Sequence, residues 1–152
     1  MLYDSNPVLY EYDMDFNLLK EYPLALEFPS YNYSIPFVDI FDTQKRLLEQ
    51  EKLYYANHTF LQMHQHGDKV YLTYPKPINH ELISELSTDG IESTYVLHQL
   101  NLRTNEQNSS ILPKHLNAFK FTAKSEDTLL IIKKLNTESE TPQLYEVKVD
   151  KE

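Results

Sequence analysis

A chain of 152 residues is long enough to bury a core as one domain without a covalent or metal staple, and it has no cysteine. That excludes disulfide scaffolds, CxxC zinc sites and cysteine nucleophiles. A formal net charge of -9, from 23 acidic and 14 basic residues, opposes a phosphate backbone, so nucleic acid is not expected as a partner.

The N-terminal MLYDSNPVLYEYD has neither the basic region nor the apolar core of a signal peptide. No apolar run approaches the ~20 residues of a membrane-spanning helix, so a soluble chain without a membrane span is expected. The chain holds 12 tyrosines, no tryptophan and only two glycines, Gly67 and Gly90. Tight turns must therefore rely on Asn and Asp, which bond to their own main chain and tolerate left-handed backbone.

The first organised stretch, Val8 to Tyr22, alternates in VLYEYD and returns in LLKEY, which predicts a hairpin turned by Asp15 and Asn17. Pro7 and Pro23 bound it, because proline inside a strand removes a ladder hydrogen bond. Residues 24–56 read as an insertion. Pro29 and Pro36 interrupt its aromatic-rich first half. TQKRLLEQEKLYY then predicts a helix over Thr43 to Tyr55, capped by Asp42 or Thr43. Leu47, Leu48, Glu51, Tyr54 and Tyr55 recur at helical spacing, with Lys45, Arg46, Glu49 and Lys52 on the outer face. A polar strand pair is the competing reading.

Thr59 to Tyr74 forms the hairpin around which the rest is organised: TFLQMHQ and KVYLTY flank the turn HGD. Pro75 and Pro77 end it, INHELISEL is long enough for one or two helical turns, and STDG forces a turn. TYVLHQLNL alternates again, RTNE turns, and QNSSIL returns. AFKFTAK, SED and TLLIIKKL make a further hairpin, whose four consecutive apolar residues predict burial on both faces. NTESETP is a polar loop before a last alternating strand, QLYEVKVD.

Three segments superpose: VLYEYDMDFN from Val8, VLHQLNLRTN from Val96 and QLYEVKVDKE from Gln143, with starts 88 and 47 residues apart. A period of ~40–50 residues with four strands per unit marks a β-propeller blade. HGDKVYLTY with YVLHQLNLRTNE, and SEDTLLIIKK with QLYEVKVDKE, carry a resemblance to the bacterial six-bladed β-propeller families, of which this chain resembles a C-terminal part of two to three blades. The expected fold is mostly β, in antiparallel four-stranded meanders resembling propeller blades over about 8–22, 59–112 and 117–150, with one helical insertion. The resemblance implies a parent exported to the periplasm or cell surface, and a protein or glycan partner. It also implies open sheet edges completed by another copy or by a missing N-terminal propeller half.

Chemistry-bearing residues are few. His58, His64 and His66 share parity on one strand, and HxH places two imidazoles on one face as a zinc or copper site requires, with Asp68 able to add an oxygen. The bland alternative makes that face a solvated polar side shared with Gln62, opposite the apolar Leu61 and Met63. Asp39 with Asp42, Glu49 with Glu51, and Glu126 with Asp127 are carboxylate pairs most simply read as surface or cap residues. There is no GxSxG, GxGxxG or P-loop sequence. Tyr54, Tyr55, Tyr71, Tyr74 and Tyr95 are candidates for an aromatic binding platform. The sequons at Asn32, Asn57 and Asn108 are near chance. These readings favour a non-catalytic binding or assembly domain without a cofactor. A metal-dependent hydrolase or lyase using His64 and His66 is the alternative, and a structural oligomerisation remnant the third.

Overall fold

The computed structural model describes residues 7–31, 33–39, 41–83, 93–133 and 141–149. The expected STDG turn, the sequon at Asn32 and most of the NTESETP loop lie outside the described residues. The fold is mostly β, with three antiparallel sheets and two helices among those residues.

The first sheet pairs β1 (Val8–Tyr12) with β2 (Leu18–Pro23). Its turn differs from the expected one. Asp13 organises it, its carboxylate accepting from the amides of Asp15 at 2.8 Å and Asn17 at 2.9 Å and from the Asn17 side chain at 2.9 Å. Those Asn17 bonds hold the Asp13 carboxyl below its usual value. Phe16 takes the left-handed conformation, φ +61°.

The second sheet is a four-stranded meander of β3 (Gln62–His66), β4 (Lys69–Pro75), β5 (Tyr95–Asn101) and β6 (Gln107–Leu112) in chain order. Gly67 closes the β3–β4 turn at φ +57°, where an added Cβ would lie 3.2 Å from Glu126 Oε1. The third sheet orders β7 (Leu116–Ser125), β8 (Thr128–Lys133) and β9 (Leu144–Lys148). β7 carries register shifts on both sides of Phe121 to Ala123.

The sheets stack in the order two, four, three strands, and β4 explains why. All seven of its residues are buried. Because strand side chains alternate, its two faces enter two cores. Val70 and Leu72 join Leu100 of β5 against Tyr22 of the first sheet and Leu24 just beyond β2. Tyr71 and Leu97 meet Leu116, Ala118, Phe121, Leu129 and Ile131 of the third sheet. Thr73 donates to the Ala118 carbonyl at 2.7 Å, so the second contact is pinned by hydrogen bonds as well as by packing.

Two sequence expectations about faces are corrected here. Gln62 points toward the third sheet rather than to solvent, its amide donating to Phe121 O at 2.9 Å and accepting from Phe121 N at 3.3 Å. Those paired bonds satisfy the polar side chain between sheets, while Met63 on the opposite face is 58 % exposed. β8 is buried on one face only. Leu129 and Ile131 enter the core, whereas Leu130 and Ile132 line an open groove.

Helix α1 (Thr43–Ala56) starts where the sequence places it, with Asp42 accepting from Lys45 N at 3.0 Å. Its rotation differs: Leu47 is exposed and Glu49 is buried. Glu49 is stabilised inside by the Tyr33 hydroxyl and by Lys52 Nζ at 2.9 Å, a bonded arrangement that a buried carboxylate needs. The INHELISEL segment contributes the short α2 (His80–Ile83), with Ile83 buried.

Candidate functional site

Strand alternation leaves the two ends of the stack with uncovered side chains, and these are the principal candidate surfaces. At one end, Tyr10 and Tyr12 project from β1 away from the core that Leu9 enters, and Leu19 lies beside them. These three are roughly half exposed, and Met14 and Phe16 at the turn are almost fully so. Glu21, opposite Tyr10 in the ladder, and the turn residues Asp13 and Asp15 make this end acidic. The basic Lys20 turns inward instead, its ammonium 4.4 Å above the Tyr22 ring and 3.2 Å from Leu102 O. Tyr22 donates to Glu11 Oε2 at 2.7 Å, a bond that pushes its phenol up to about 12.

At the other end, a groove of about 300 Å³ opens between the β7 edge and the outer face of the third sheet, lined by Gln62 of β3 and Phe121 together with Lys120, Thr122, Leu130, Ile132 and Leu144 of that face. Leu144 is 61 % exposed. Lys124 pairs with Glu146 on this face, and Lys148 stands opposite Thr128. On the outer face itself Lys120, Lys124 and Lys148 outnumber Glu146, while the β7–β8 turn at its end carries the exposed Glu126 and Asp127, the latter paired with Lys69.

The interior holds a polar arrangement that strand pattern alone did not single out as functional. His98 is fully buried between the first and second sheets. Its Nε2–H donates to Gln107 Oε1 at 3.1 Å, since an amide oxygen only accepts, which leaves Nδ1 to accept from Ser109 Oγ at 2.8 Å. Gln107 also accepts from Ala25 N and donates to Pro23 O, both at 2.8 Å. One glutamine thus ties β6 directly to the exit of β2 while also accepting from the neutral imidazole of β5. Burial lowers the His98 pKa, and the Gln107 bond opposes that shift. The signal was present in YVLHQLNL: His98 shares parity with Val96 and Leu100, both buried.

The expected tyrosine platform divides. Tyr71 and Tyr74 are core residues at 0 % exposure, unable to offer a face to a ligand. Burial pushes both phenols up to about 12. Tyr71 donates to the Glu126 carbonyl, while Tyr74 is packed edge-on by His58 and Phe60. Tyr54 and Tyr55 stand edge to face at 4.8 Å, half-buried with Tyr95, and burial raises Tyr54 to about 12.

The three histidines are not gathered. β3 begins at Gln62, so His58 precedes the strand and donates to Phe28 O at 2.6 Å, burial lowering its pKa. His64 faces the third sheet, its Nε2 3.3 Å from Thr122 Oγ1, and His66 is exposed near the hairpin turn. Among the described residues no three His, Asp or Glu side chains form a metal-holding group. One or both members of each carboxylate pair have structural partners, as Glu49 does in α1. Asp39 accepts from Phe41 N at 3.0 Å, Asp42 caps α1, and Asp127 meets the buried Lys69 at 2.5 Å. Among the described residues no helix is long and apolar enough to cross a membrane.

No family model, curated protein or solved structure matches this chain. Its functional reading therefore rests on the geometry of the stack and its two ends.

Proposed function

We propose that this chain is a non-catalytic assembly domain with propeller-like stacked sheets, whose two outer sheet faces are covered by protein. The observation that carries the reading is the apolar character of both outermost faces, with the exposed Tyr10, Tyr12 and Leu19 at one end and the half-buried Leu130 and Ile132 beside the exposed Leu144 at the other. Isolated apolar residues on a surface need no explanation, but contiguous clusters in a groove or on a sheet face mark interaction sites. Support also comes from β9, which among the described residues is an edge strand of its sheet.

Solution mass by light scattering tests this over about 1 to 100 µM, the range in which standard interfaces assemble. Mass above 18.0 kDa that Leu144→Glu returns to the monomer value, with circular dichroism unchanged, supports assembly through the outer faces. A strict monomer at every concentration overturns it.

A further inference from the structure

We propose that the protein covering these faces is a second copy of the same chain, docked head to tail, so that the acidic face of β1–β2 of each copy packs on the basic face of β7–β9 of the other. This deepens the assembly reading and rests on it.

Charge complementarity selects the partner. The β1–β2 end presents tyrosine rings with Glu21, Asp13 and Asp15, while the β7–β9 end presents an apolar groove edged by Lys120, with Lys148 further along β9 on the same face. Like faces brought together oppose charges of one sign, with Glu21 near Glu21 or Lys120 near Lys120. Unlike faces match both sign and shape, because a protruding aromatic ring meets a concave apolar slot. Tyrosine suits this role, filling the groove with its ring while its hydroxyl stays at the wet rim.

The same geometry limits the number of copies. A head-to-tail contact is heterologous, so it either closes into a ring or grows without end. Rings of stacked antiparallel sheets close with roughly four to eight members. Each copy supplies three sheets among its described residues, so two copies bring six, inside that range, and three copies exceed it. A two-copy ring covers all four outer faces at once.

The test is sedimentation velocity of the 152-residue chain with reciprocal charge reversals. The unaltered protein sediments as a dimer of twice 18.0 kDa. Glu21→Lys alone and Lys120→Glu alone each weaken dimerisation about tenfold or more, since each change falls on both contacts of the ring. Mixing the two variants restores a dimer, because every contact then joins opposite charges. Both positions are exposed, so circular dichroism stays unchanged.

Different failures separate the two readings. A strict monomer overturns assembly and this proposal together. A dimer indifferent to both reversals, or a Glu21→Lys variant rescued by the unaltered chain rather than by Lys120→Glu, overturns the head-to-tail arrangement and leaves assembly standing. Mass that keeps rising beyond two copies overturns ring closure.

Discussion

Replacing Gln107 with leucine removes the one side chain that holds three parts of the molecule together while nearly keeping its volume. The amide binds Ala25 N, Pro23 O and His98 Nε2 at once. Ala25 and Pro23 are exposed, so water replaces those two bonds and each costs about 0.5–1 kcal/mol. His98 is fully buried, and its Nε2–H is left without an acceptor, which costs about 1–3 kcal/mol. The expected loss is therefore about 2–5 kcal/mol, or roughly 4–20 °C in Tm for a chain of this size. Urea unfolding followed by circular dichroism measures it, and amide exchange locates it: protection in β1–β2 should fall before protection in β4 and β5. A loss below about 0.5 kcal/mol would refute the view that Gln107 couples the first sheet to the second.

Acid should weaken the fold through the same imidazole. An unfolded histidine titrates near ~6.5, and burial holds His98 lower in the folded chain. As pH falls through that window the unfolded state binds the proton first, so stability is complete above it and declines from about pH 6.5 toward the folded pKa. Unfolding free energies at about pH 7 and 5 should differ less in His98→Gln, with His58 supplying a remaining slope. Phe16→Asn should stabilise by about 1 kcal/mol, because Phe16 sits at φ +61° where a short polar side chain is better tolerated. An unchanged urea midpoint would count against strain at that turn. Leu129→Ala, fully buried between the second and third sheets, should cost about 2–5 kcal/mol by urea unfolding. Gly67→Ala should cost about 1 kcal/mol or more, from φ +57° and the approach to Glu126, read the same way.

Element type was legible in the sequence because it depends on short-range pattern. VLYEY, KVYLTYP and YVLHQLN alternate or run apolar, and each is a strand; TQKRLLEQEKLYYA has a capped helical spacing, and it is a helix. Turn chemistry was legible in kind but not in detail. Asp and Asn do make the β1–β2 turn, yet Asp13 rather than Asp15 organises it, since the choice depends on where Phe16 reverses the chain.

Which face of an element is inside was decided only by the tertiary structure. Glu49 and Gln62 look like surface residues until Tyr33 and Lys52, or the Phe121 main chain, provide partners from segments distant in sequence or across a helical turn. TLLIIK reads as buried on both sides, yet only Leu129 and Ile131 meet a neighbouring sheet, because the stack ends at β7–β9. Likewise the parity of His64 and His66 is a local fact, whereas whether a further ligand joins them depends on how β3 lies against β7. Local propensity and period fix what each segment forms. Hydrogen-bond satisfaction and burial between segments, set only once the sheets have stacked, fix which of its faces remains for a partner.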